Sequence, residues 1–229
     1  MRPETPITDT PTTVPVLNVC DLCFGWPGIP LFSDLNLQLP AGVSVVHGDE
    51  SCGKTTLLRL LAGELHAEHG TLVLRDTQWT THPDAYRAQV FRTEPRSDAL
   101  DAVSARTWFS QLAVLRPGFN PATAQRLASG FALDPHVDKP MYMLSAGSKR
   151  KVWLSAAFAA GAALTLIDEP FAALDMSSIR FLHLLLEEAS QHPDRAWLLA
   201  DHVPPEGLAL KTRLELGARN RAARNTTSD

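Results

Sequence analysis

Cysteine is scarce in this chain: three in 229 residues. That is too few for a disulfide framework, so the fold rests on its apolar core. Basic excess is also missing. Twenty-one Lys and Arg stand against 25 Asp and Glu, for a net charge of −4. Nucleic-acid binders generally carry a basic surplus, so no nucleic-acid partner is expected. No apolar h-region follows the first residues, MRPETPITDTPTTVP, which are polar and rich in Pro and Thr. This is no secretory leader, and a cytoplasmic location is the default. Long hydrophobic runs are lacking as well. The longest, Val152 to Ile167, falls short of the roughly 18–20 residues a span requires and is broken by Ser155, Gly161 and Thr165. It reads as a buried helix, a turn at Gly161 and a buried strand. Internal repeats are absent.

What is present is ordinary for a globular domain: 45% hydrophobic and 20% charged residues. Residues 1–14 read as a disordered tail, 15–217 as one domain and 218–229 as a second tail. VLNVCDLCF and LNLQLP carry weak strand alternation. VSVVHG is a short β-branched run, followed at once by KTTLLRLLA with leucines at helical spacing and Gly63 as a stop. TLVLRD is a further strand. The stretch from Thr93 to Met143 is polar and punctuated by proline, and reads as short helices; the helical subdomain is placed at about 94–160. Ser145 to Ala160 reads as a helix, Leu164 to Asp168 as a buried strand, Ile179 to Ala189 as an amphipathic helix and Trp197 to Ala200 as a strand. LKTRLELG closes the pattern. Strand and helix alternate around buried strands, which predicts an α/β core with a mostly parallel sheet.

The strongest motif runs from Gly48 through Asp49, Glu50, Ser51, Cys52 and Gly53 to Lys54 and Thr55, with Thr56 following. It matches G-x-x-x-x-G-K-S/T between a predicted strand and a predicted helix. Its glycines let the backbone turn its N–H groups toward a phosphate, and a helix N-terminus adds favourable potential. Lys54 neutralises β- and γ-phosphate oxygens, and the Thr55 hydroxyl is a ligand for Mg²⁺. Asp49 and Glu50 would repel a polyphosphate unless they face solvent, as expected here. The second motif is LTLIDEP, a buried strand ending in Asp168 and Glu169. In an open α/β sheet the C-terminal edge is where ligands sit. Asp168 there suits Mg²⁺, and Glu169 suits a water to be activated. Cys20 and Cys23 have no second C-x-x-C, so two small strand side chains are the better reading.

The third motif, Leu144-Ser145-Ala146-Gly147-Ser148, precedes Asp168 by about 20 residues. With it the chain resembles the ATP-binding cassette (ABC) ATPases of transporters over residues 16–217. That resemblance implies a P-loop NTPase core with an antiparallel β edge and an inserted helical subdomain, binding ATP and Mg²⁺. It implies that Ser145 and Gly147 contact the γ-phosphate held by a second ATP-binding subunit, read as a second copy of this chain. It gives Asp175, in FAALD, to the contact with that subunit, and His202 to the γ-phosphate. Trp26 would stack on adenine, a contact worth roughly 1–3 kcal/mol per base. Glu94 stands where the family has a metal-touching glutamine, a departure that adds negative charge beside the triphosphate; Gln89 is the alternative. Catalysis then falls to Lys54, Glu169 and His202. The implied partners are integral membrane permease subunits, with this chain peripheral on the inner face of the cell membrane. Short length, LSAGS and LTLIDEPFAALD most resemble the ATP-binding subunit of the haem exporter of cytochrome c maturation. A soluble ABC-type ATPase acting in assembly or repair, or the ATPase of another exporter, is the alternative. No N-K-x-D guanine motif supports a GTPase.

Overall fold

The computed structural model describes residues 14–217 and 224–226. Among the described residues, ten strands and six helices form two sheets with helices against them. The chain opens with β1 (Leu17–Trp26) and β2 (Ile29–Leu39), paired antiparallel. Buried and less buried residues alternate along β1 until the register slips around Cys20 and Asp21. Asp21 takes φ +51 there, which is why the sequence alternation is weak at that point. β3 (Gly42–His47) is buried nearly throughout and leads directly into α1 (Lys54–Leu61). β4 (His69–Leu74) and β5 (Thr77–Gln78) complete a four-stranded antiparallel sheet in the order β2-β1-β4-β5. A short helix, α2 (Pro83–Ala88), leads to β6 (Val90–Arg92).

The helical region follows. A single tight turn spans Asp98–Leu100, then come α3 (Ala105–Leu115), α4 (Pro121–Gly130) and α5 (Ala146–Ala159). Serine or asparagine caps each helix start: Ser104 accepts from the Thr107 N–H, Asn120 from Thr123 and Ser145 from Ser148. α5 is Ala-rich and buried on several faces, as a helix enclosed by protein should be. β7 (Leu164–Asp168), α6 (Met176–Ser190), β8 (Ala196–Asp201) and β9 (Arg213–Glu215) close the core. The second sheet has the order β10-β9-β3-β8-β7-β6, where β10 is residues 224–226. Only β10 runs antiparallel in it. Residues 224–226, within the stretch read as the second tail, pair with β9 at that open sheet edge. Residues 1–13, 218–223 and 227–229 of the two expected tails lie outside the described residues.

Two cores flank the parallel sheet. In one, Leu57, Leu58, Leu60 and Leu61 of α1 sit among leucines of the antiparallel sheet and Leu164, Leu166 and Leu198 of the parallel one. In the other, α3, α4, α5 and α6 pack against Val43, Val45, Ile167 and Leu199. Strand pairing places Asp168 opposite Ala200, and His47 opposite Asp201. The parallel strands therefore bring the loop after β3, the acids after β7 and the residues after β8 to one edge. Among the described residues no helix is long and apolar enough to cross a membrane.

Candidate active site

The loop between β3 and α1 is shaped by its glycines and lysine. Gly53, the residue before the first helical turn, sits at φ +104, and α1 has no side-chain cap there. A side chain at that φ would be strained, whereas glycine leaves the first N–H groups of α1 open. Lys54 is only 8% exposed, and its Nζ donates to the Gly48 and Asp49 carbonyl oxygens, both at 2.7 Å. The ammonium is thereby held over the loop. Asp49, Glu50 and Ser51 are exposed, so the two carboxylates face solvent.

Thr55 joins this loop to the distant acids. Its Oγ1 donates to Asp168 Oδ2 at 2.6 Å, across 113 positions of sequence. A hydroxyl and a carboxylate at that separation form a pair of hard oxygens suited to a divalent cation. With the open helix start and Lys54 beside them, the donor set fits a metal-bound polyphosphate. Thr55, Asp168 and Glu169 line one cavity of about 340 Å³, together with Glu94, Arg96 and Arg150.

Glu169 follows β7 at φ +47, an unusual backbone conformation for glutamate. Three contacts fix it. Its N–H donates to the Ala200 carbonyl at 2.8 Å. Arg150, 7% exposed, donates from Nη1 to the Glu169 carbonyl at 2.7 Å. Arg96 forms an ion pair with the Glu169 carboxylate. Burial lowers the Arg150 guanidinium from its ordinary value and Arg96 adds to that, while Glu169, Asp168 and Asp201 oppose it. Burial likewise raises the Asp201 carboxyl, against the His202 N–H that it accepts at 2.7 Å.

The other predicted residues are more dispersed. His202 is exposed just past β8. Trp26 ends β1, 44% exposed, edge-on to Phe24 with ring centroids 5.2 Å apart. Cys52 is half-buried near Lys54 Nζ. Thr56, also half-buried, lies in the first turn of α1. Glu94 lines the cavity, but its carboxylate pairs with Arg92, which also forms a two-point pair with Glu64 at 2.7 and 2.8 Å. The negative charge expected beside a triphosphate thus has a local counter-charge. Gln89 is turned away, donating to Thr77 Oγ1 at 2.8 Å and to the Ala85 carbonyl.

Ser145 and Gly147 do not line this cavity. Ser145 caps α5, and Gly147 presses on the segment before α6, where an added Cβ would collide with the Ala173 carbonyl oxygen. Asp175 caps α6 through the Ser178 N–H at 2.9 Å and pairs with Lys151 of α5 at 2.6 Å. That ion pair, then bonds from Ser177 and Ser178, holds its carboxyl well below the usual carboxylate range. The sequence reading missed Arg96, Arg150 and Asp201. Asp201 was readable as the acid ending a buried strand, like Asp168. The two arginines gave no signal, because their contacts are set by tertiary packing.

Comparison with known proteins adds findings of three kinds. The sequence profile of the family described as "ABC transporter" matches residues 32–172. The taurine import ATP-binding protein TauB of Escherichia coli O157:H7 is 32% identical over 205 residues, covering 88% of this chain and 79% of that protein. Among solved structures, an ATP-binding subunit of an ABC transporter superposes with a TM-score of 0.80 at 23% identity, over 93% of this chain and 90% of the other. The ADP conformation of an ATP-binding cassette of an ABC transporter gives 0.73 at 15% identity, over 94% and 92%.

Proposed function

This chain belongs to the ABC transporter family, as an ATP-binding and ATP-hydrolysing subunit, and on that premise we propose how its residues divide the work. The backbone from Gly48 to Thr56 cradles the β- and γ-phosphates, and Lys54 offsets their charge. Thr55 and Asp168 would hold Mg²⁺, which supplies further charge neutralisation on the phosphates. The Glu169 carboxylate accepts a proton from water as that water bonds to the γ-phosphorus. The bond from γ-phosphorus to the bridging oxygen breaks, leaving ADP and inorganic phosphate. His202 orients the γ-phosphate, and Trp26 stacks on adenine.

The observation that carries this reading is the Thr55–Asp168 hydrogen bond of 2.6 Å. It sets the phosphate loop against Asp168 and Glu169 at one edge of the sheet. Ser145 and Gly147 stand outside that cavity in their own chain. This supports a role for them toward nucleotide held by a second subunit, a second copy of this chain, with Asp175 at the same contact. Glu94 is engaged by Arg92, so Thr55 and Asp168 are proposed as the metal ligands in preference to it.

The partner is proposed to be a pair of integral membrane permease subunits, with this chain on the inner face of the membrane. The relative TauB is named for taurine import. That favours import of a small solute over the haem export suggested by LSAGS and the short length, and it leaves a role in cytochrome c maturation without support. Purified Glu169→Gln protein, used with ATP as bait on solubilised native membranes, tests this by mass spectrometry of what it retains. An importer-type permease supports the reading. Proteins of a haem export complex would restore the narrower expectation. Recovery of soluble proteins alone would reject a transporter role.

A further inference from the structure

The segment after β6 reaches the proposed base. The Thr93 N–H donates to the Leu166 carbonyl at 3.0 Å, extending the β6–β7 pairing, so residues 94–97 leave the sheet beside Asp168. From this segment Arg96 pairs with the Glu169 carboxylate. Arg150 holds the other end of the same residue, donating to its carbonyl at 2.7 Å from within α5. Glu169 is thus gripped by two guanidinium groups from two different elements. The two grips differ in kind. Arg150 is 7% exposed and anchored within a packed helix, which makes it a fixed mount for the backbone. Arg96 has a side chain 77% exposed, on a segment outside regular secondary structure. It can leave the carboxylate without disturbing either core.

We infer that Arg96 is a positioning residue that restrains Glu169: while the ion pair stands, one carboxylate oxygen is committed to the guanidinium and is closed to water. That oxygen has to be open to water for the step proposed for Glu169. Movement of residues 94–97 frees it. Turnover is therefore held back while the ion pair stands. This inference rests on Glu169 acting as the base, the reading proposed above.

The test compares wild type with Arg96→Ala, Arg96→Lys and Glu169→Gln in steady-state ATP hydrolysis by the purified chain, at low and at raised ionic strength. Arg96→Ala is expected to raise kcat by about two- to fivefold, the range an exposed ion pair can hold back. KM for ATP is read separately: a change in KM with kcat at the wild-type value would place Arg96 on the nucleotide and overturn the restraint. Arg96→Lys keeps the charge and should remain close to wild type. Added salt should raise the wild-type rate toward that of Arg96→Ala, relative to its effect on Arg96→Ala itself. An Arg96→Ala rate at or below wild type overturns the restraint, as does an Arg96→Lys rate equal to a raised Arg96→Ala rate. Glu169→Gln separates the two layers. If it is inactive while Arg96→Ala matches wild type, the base stands and the restraint falls. If Glu169→Gln hydrolyses ATP like wild type, the base assignment fails and takes the restraint with it.

Discussion

Replacing Gly147 with alanine sets two effects of opposite sign against each other. Gly147 is the second residue of α5. By helix propensity alone, alanine there should stabilise the chain by up to about 1 kcal/mol. The added methyl, however, points at the Ala173 carbonyl oxygen, which is backbone and not the free end of a side chain. That backbone has little room to yield. Ala173 holds φ +59, the Leu174 N–H donates to the Phe171 carbonyl at 3.3 Å, and Lys151 of α5 ties Asp175 from the other side. Overpacking of this kind costs about 1–3 kcal/mol, so the clash is expected to win, with a net loss of up to about 2 kcal/mol once the full propensity gain is subtracted. For a domain of this size each kcal/mol lowers Tm by about 2–4 °C. The assay is thermal unfolding of Gly147→Ala beside wild type, by circular dichroism. A Tm at or above wild type would overturn this expectation. It would mean that the segment before α6 moves freely relative to α5.

Two further outcomes are expected. Glu94→Gln should leave the half-saturating Mg²⁺ concentration for hydrolysis within about twofold of wild type, because the carboxylate it removes serves an ion pair of modest worth. A larger shift in a metal titration would put Glu94 on the metal. Asp175→Asn should narrow the dependence of stability on pH. The Asp175 carboxyl lies below its ordinary value of 3.8, chiefly through Lys151. Its contribution is therefore fully present above that ordinary value and is lost as pH falls toward the depressed folded one. Urea midpoints of wild type and variant should differ more at about pH 7 than at about pH 3, and an equal gap at both would remove Asp175 from the acid response.

Local physics made much of the fold legible in the sequence. The β-branched run ending at His47, the Gly53–Lys54 turn and the leucines of α1 each state their own conformation within a few residues. The same holds for Ser145, whose hydroxyl caps the helix it begins. Helix α2 was not legible, since Pro83–Ala88 is too short and polar to show a period and has one buried residue, Tyr86. Nor was strand β10, whose partner β9 is the reason it is extended. At the site, motif and strand pattern pointed to Lys54, Thr55, Asp168 and Glu169. Arg96 and Arg150 were invisible because nothing near them in sequence says what they face. Glu94 shows the same limit. Its charge could be read, but the arginine two residues away that absorbs it could not, because Arg92 is held in place by Glu64 from another part of the chain.

The proposed division of work comes down to one activity: ATP held at the loop before α1 and hydrolysed with Glu169 as the proposed base. ATP binding and ATP turnover, measured on the same preparations of wild type and Glu169→Gln with Mg²⁺ present, put that activity to the test. Glu169→Gln is expected to bind ATP as wild type does and nearly cease to release phosphate. Turnover at the wild-type rate with intact binding would take the base away from Glu169.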